Sequence, residues 1–186
     1  MITLETVRYL TVEEYHKMGE VGIFAPDERV ELIEGVIHKM APIGATHSWI
    51  VDQVTEIFSD LFRGRFTITI QNPIILADDS EPQPDVAIVK RRSIGERPQT
   101  PSAEDVYLLV EVSTTTLAYD RTVKVPMYAR AGIPEVWVID TTASLIEQYL
   151  SPQDGAYQVL NVWRKGNTIP TSLSVGIQVA NLLPYL

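Results

Sequence analysis

The sequence predicts a mixed α/β (α+β) fold: a central mixed sheet in α-β-β-β-α-β order, with extra β-strands at the N- and C-terminal ends. Three observations predict it. Helical apolar spacing fills THSWIVDQVTEIFSDLF. Three β-branched or aliphatic runs then follow one another, at 66–76, 84–90 and 106–112. A helical stretch, 118–131, separates the third run from a fourth at 135–140. Three successive strands suit a meander, and a helix between the third and fourth suits a crossover to a parallel neighbour.

Each element has a local cause. Thr11 before VEEYHKM reads as the cap of a short helix, with Glu14 closing a capping box. RVELIEGVIHKM, residues 29–40, alternates as a hairpin or bent strand, with Gly35 at the turn or bulge. In the long helix Ile50, Val51, Val54, Ile57, Phe58 and Leu61 share a face; Thr46 is its expected cap and Gly64 lies near its end. FTITIQNPIIL, residues 66–76, reads as a strand that Pro73 bulges or breaks. PDVAIVK, 84–90, is the second strand, and 91–105 a surface loop. VYLLVEV, 106–112, is apolar on both faces and therefore central. Within 118–131, Val123, Met127 and Ala131 face one way; Pro126 fits only if the helix starts near Thr122, leaving it in the first turn. After the strand 135–140, LIEQYL and YQVLNVW predict short strands in a hairpin-rich end.

Composition limits the function classes. A chain of 186 residues suits one domain, 1–186. No cysteine is present, so disulfides and thiolate metal sites are excluded and a reducing cytoplasm is the expected compartment. MITLETVRYLTVEEY lacks a basic region followed by an apolar stretch, so it does not read as a leader. No apolar run approaches the roughly 18 residues of a membrane span. The net charge of −9 argues against a generic polyanion-binding surface, but carboxylates that hold a cation are themselves acidic.

The chemistry concentrates on three residues. Asp85 follows Pro84 and opens a strand, and Glu111 lies near the end of the next. If those strands pair, both carboxylates meet at one sheet end and form a hard-oxygen site suited to Mg²⁺ or Mn²⁺. A carboxylate on a central strand is costly to bury unless paired or metal-bound. Lys124 supplies a cation beside that site. A plainer account stays open. Asp85 starts a turn, Glu111 surfaces at a strand tip, and Asp120 and Lys124 form an exposed helical pair worth about 0.3–0.5 kcal/mol.

The set PD, E-V-S, D-x-x-x-K-x-x-x-Y and A-G-I-P-E-V-W-V-I-D, with ELIEG at 31–35 and His47, resembles the Uma-two family of bacterial endonucleases. The resemblance spans roughly residues 10–183. It implies a restriction-endonuclease-like core of the PD-(D/E)XK type and Mg²⁺- or Mn²⁺-dependent hydrolysis of phosphodiester bonds. By it, Asp85 and Glu111 are the two acids, and they hold the metal with the backbone carbonyl of Val112. The usual lysine position is occupied by Ser113, which moves the lysine role to Lys124, oriented by Asp120 and Tyr128. Glu31 adds a carboxylate. His47 ligates metal, binds phosphate or shuttles a proton. Gln83 is a weaker supporting residue, and Glu34 reads equally well as solvent-facing.

Nucleic acid, DNA first, is the implied partner, with no membrane. The basic candidates for gripping it are Lys90, Arg91, Arg92, Arg97, Arg121 and Arg130. Exposed strands at the chain ends need covering, and homodimerisation is one way. Two other classes remain: an inactive binding or interaction module on the same fold, and a metal-dependent hydrolase of a small phosphorylated substrate.

Overall fold

The computed structural model describes residues 7–92 and 95–183. Parts of the N-terminal stretch and of the 91–105 loop therefore lie outside the described residues. Helix α1 (Val12–Glu20) starts at Thr11, whose side chain and Glu14 complete the expected capping box. Strands β1 (Val30–Ile33) and β2 (Val36–Lys39) form an antiparallel hairpin. Its two-residue turn has φ of 49° at Glu34 and 75° at Gly35, the positive pair that a tight hairpin turn needs. Glycine is required at 35 for a second reason: a Cβ there would sit 2.4 Å from Tyr9 Cβ.

The central sheet has six strands in the order β3-β4-β5-β6-β7-β8. They are β3 (Phe66–Ile70), β4 (Val86–Lys90), β5 (Val106–Ser113), β6 (Glu135–Asp140), β7 (Leu145–Gln153) and β8 (Ala156–Arg164). Strands β3, β4 and β5 form the expected antiparallel meander, and β5 pairs parallel with β6. The crossover between them runs through α3 (Leu117–Tyr119), a π-helical turn (Asp120–Lys124) and α4 (Val125–Arg130).

Strand alternation divides the core between the two faces. Val86, Ile88, Leu108, Val110, Trp137 and Ile139 pack with helix α2 (Ala45–Phe62) through Ile50, Val54 and Phe58. Ala87, Val89, Leu109, Val136 and Val138 pack with Val125, Met127 and Tyr128 on the other face. A small hairpin, β9 (Thr168–Pro170) and β10 (Gly176–Gln178), leads into α5 (Val179–Leu182), which closes the α2 side. Among the described residues no helix is long and apolar enough to cross a membrane.

Four local expectations are corrected. Gly44, with extended backbone and no side-chain bond, caps α2 in place of Thr46. Strand β3 stops at Ile70, well short of residue 76, because Gln71 turns to φ 50°. The strands built on LIEQYL and YQVLNVW are not short: β7 and β8 run nine residues each and extend the central sheet, while β9 and β10 are the short hairpin strands expected at this end. Finally, the crossover helix starts at Leu117, which leaves Pro126 inside it. The π turn explains why proline is tolerated. Val125 N–H bonds Asp120 O, five residues back, so the turn before Pro126 is wide. In a plain α-helix the ring would collide with the carbonyl four residues back.

Candidate active site

Antiparallel pairing of β4 with β5 aligns Val86 with Val110, so Asp85 and Glu111 stand one step further on, at the same sheet end. Asp85 is held tightly there. Its Oδ2 accepts from Val112 N–H at 2.8 Å and lies 2.9 Å from His47 Nε2. A carboxylate only accepts, so Nε2 carries the hydrogen. Asp85 Oδ1 meets Gln71 Nε2 at 3.3 Å. Because Val112 N–H points toward Asp85, the Val112 carbonyl points to the same side of the strand.

Glu111, Lys124 and Glu31 form a buried ionic group. Lys124 Nζ lies 3.2 Å from Glu111 Oε1 and 3.2 Å from Glu31 Oε2. Tyr128 O–H donates to Glu111 Oε1 at 2.5 Å, and Gln83 N–H donates to Glu31 Oε2 at 3.1 Å. Burial pushes the Glu111 carboxyl up to about 8, against the pull of Lys124 and with a push from Asp120 and Asp85. Burial alone would lower the Lys124 ammonium, but Glu111, Glu31 and Asp120 outweigh it and raise it, so Lys124 stays charged.

Ser113 has its own task. Its Oγ donates to Asp120 Oδ2 at 2.6 Å, and Thr116 Oγ1 donates to the same oxygen at 2.7 Å. This clamp ties the start of the π turn to the end of β5. Lys124, at the end of that turn, is thereby brought over Glu111. Asp120 is raised by its burial, an effect the Ser113 and Thr116 bonds oppose.

These groups line one cleft of about 490 Å³. Glu31, His47, Asp85, Glu111, Val112 and Lys124 all border it, as do Gln71, Gln83 and Asp120. Tyr128 reaches it through Glu111. Glu34 does not: it is exposed and pairs with Arg130. The exposed-pair account of Asp120 and Lys124 is overturned, since both are buried and bond other partners.

The donor set fits a small divalent cation. Among the described residues no three Asp, Glu or His side chains group closely enough to cage a metal alone. Mg²⁺, however, keeps several waters and needs only one or two carboxylates. Each acid here is anchored mainly by one oxygen. Glu111 Oε2 has no hydrogen-bond partner among the described residues, and Asp85 Oδ1 has only the long contact to Gln71. A raised carboxyl such as Glu111 is stabilised in its charged form by a cation.

Sequence reasoning missed Gln71, Tyr119 and the β1–β2 residues Arg29, His38 and Lys39, all of which line the cleft. Gln71 carried no local signal, because only pairing of β3 with β4 brings it to Asp85. The proposed basic grip fares poorly. Arg91 bonds Gly64 O, Arg92 pairs with Asp105, Arg121 with Glu147 and Arg130 with Glu34. None of these four borders the cleft.

The Uma2 (Uma-two) family, described as "Putative restriction endonuclease", matches residues 12–182. A crystal structure from Anabaena variabilis, described as that of a "putative nuclease", has a TM-score of 0.72 and 16% sequence identity. It covers 94% of this chain and 98% of its own, and at that identity the likeness is one of fold. No curated protein matches the chain.

Proposed function

Since the chain belongs to the Uma2 family, we propose that it is a Mg²⁺- or Mn²⁺-dependent nuclease that hydrolyses phosphodiester bonds of nucleic acid, with DNA the first substrate to test. The observation that carries this reading is the site itself: two anchored carboxylates, each with an oxygen turned from its anchor, beside a charged buried lysine. Asp85, Glu111 and the Val112 carbonyl would hold the cation. When bound, it polarises the phosphate and activates water for attack.

The chain's own residues do the rest. Lys124 offers an ammonium to charge that develops on the phosphate oxygens. Glu31, together with Glu111, keeps that ammonium in place. Tyr128 fixes Glu111, while His47 and Val112 N–H fix Asp85 through Oδ2. In this reading His47 and Glu31 act by positioning Asp85 and Lys124.

The test is cleavage of duplex DNA, single-stranded DNA, RNA and nucleotides by purified protein, with and without Mg²⁺ or Mn²⁺. Metal-dependent cleavage of a polymer, lost in the Asp85→Ala, Lys124→Ala double variant, is expected. Equal residual cleavage by wild type and double variant sinks the assignment, and cleavage of nucleotides alone moves it to a small-substrate hydrolase.

Homodimerisation belongs to the same proposal. Strand β8 lies on the sheet edge with Val159, Leu160 and Val162 exposed. Its only charged residue is Arg164 at the end, and it carries no lysine or proline, the usual guards of an edge. Sedimentation equilibrium should give twice the 20.8 kDa chain mass; a single monomeric species at micromolar concentration would refute the dimer.

A further inference from the structure

The cleft has a floor of carboxylates and a wall of donors, and the wall has no role in the metal site. It is built by the β1–β2 hairpin. Glu31 and His38 are opposite each other in the register, so the face that turns Glu31 to Lys124 carries His38 as well. Arg29, two residues before Glu31, shares that face, and Met40 N–H bonds Arg29 O at 2.9 Å. Lys39, opposite Val30 in the register, lies on the hairpin's other face and meets the cleft only at its rim.

These side chains are unspent. Arg29, His38 and Lys39 make no side-chain hydrogen bond or ion pair among the described residues. In a chain of net charge −9 that is unusual company: most other cations pair with a carboxylate or bond a carbonyl. Tyr119 adds a fourth donor. Its ring packs against His38, with centroids 5.5 Å apart, and its buried hydroxyl has no partner. A buried hydroxyl left unpaired is costly, which marks it for an absent acceptor. Burial, followed by the charge of Glu31, raises the Tyr119 phenol, so it remains a donor.

A row of donors without acceptors, facing a cation site across one cleft, complements a strand of phosphates. We propose that Arg29 and His38, with the Tyr119 hydroxyl and with Lys39 at the rim, form a phosphate-binding wall that grips the nucleic-acid backbone next to the phosphodiester over the Asp85–Glu111 floor. The proposal rests on the nuclease reading of that floor. It places a polyanion-attracting strip of an acidic protein beside the site, on cations that no carboxylate pairs with among the described residues.

The experiment is fluorescence anisotropy of a short labelled DNA duplex across a salt series, run in EDTA and again in Ca²⁺, so that cleavage does not interfere. Each phosphate contact contributes about 0.9 to the slope of log affinity against log salt. The Arg29→Ala, Lys39→Ala variant should reduce that slope by about 1.8 and weaken binding roughly a hundredfold at low salt. Tyr119→Phe, which keeps the ring on His38, should weaken binding by about tenfold. The Lys90→Ala, Arg97→Ala variant removes the same charge outside the cleft, at the end of β4 and in the loop after it, and should leave the slope unchanged. Thermal melting of each variant checks that the fold is retained.

A wild-type slope in the Arg29→Ala, Lys39→Ala variant overturns the wall alone. So does an equal loss in the Lys90→Ala, Arg97→Ala control, which would make the attraction diffuse. If the wild type binds no duplex in either buffer, the wall falls as a duplex grip, while the nuclease reading is decided by the cleavage test on single-stranded DNA and RNA. If binding behaves as expected but the Asp85 and Lys124 variants cleave like wild type, the wall stands and the floor chemistry is wrong.

Discussion

Lys124→Ala is expected to destabilise the protein by about 3–5 kcal/mol, the usual cost of removing one partner from a buried charge group. The ammonium is the counter-charge for both Glu111 and Glu31, at 3.2 Å from each. All three groups are buried, so solvent screening offers little relief. Without the lysine, buried Glu31 loses its cation, and Glu111, already pushed up to about 8 beside the lysine, is driven further toward its neutral form. Urea unfolding should show a lower midpoint with an unchanged slope. Adding Glu31→Gln to Lys124→Ala should recover part of the loss, because it removes the carboxylate that the lysine leaves stranded. A single variant that unfolds at the wild-type midpoint would mean that Lys124 is not the counter-charge of this pair. Cleavage should also vanish in Lys124→Ala, but the stability result stands whether or not the substrate is known.

Asp85→Asn is the second large effect, and it separates chemistry from folding. The amide keeps an oxygen for Val112 N–H and for His47 Nε2–H, the two bonds that hold the side chain. Gln71 can turn its amide so that its oxygen meets the new NH₂ group. Stability should therefore change by less than about 1 kcal/mol. The negative charge is lost, and with it the better part of the attraction for a divalent cation. Calorimetric titration with Mn²⁺ should show affinity reduced at least tenfold. The cleavage rate should fall by about 10²–10³-fold or more, in the range seen when one charge-stabilising group is removed. Wild-type Mn²⁺ affinity in this variant would take Asp85 out of the metal site.

Much of this site was legible in the chain because it follows from strand order. A meander of 84–90 and 106–112 brings Asp85 to Glu111 as soon as the two strands pair, and each run announced itself by apolar character. Gly35 was legible for a local reason, since a two-residue hairpin demands positive φ. Pro126 misled because it was judged against an α-helix, whereas the backbone widens one turn ahead of it. Ser113 read as a gap in a motif, yet its hydroxyl anchors Asp120. The basic residues misled in a different way. Lys90, Arg91 and Arg92 stand together in sequence, but whether a cation is free depends on which carboxylate or carbonyl the fold brings to it. Arg91 and Arg92 are taken, while Arg29, His38 and Lys39 are scattered in sequence and gathered by the hairpin.

The π turn sets a rule about length. A residue in an α-helix advances about 100° around the axis. The wide turn at Asp120–Lys124 takes up one residue more than an α turn, and so sets the angle of everything after it relative to the Ser113–Asp120 clamp. Wound as a plain α-helix with the same residues, the segment would swing the ammonium about 100° off Glu111, and it would drive the Pro126 ring into a carbonyl. Here the number of residues in one turn, as much as their kind, decides whether the cleft has its lysine.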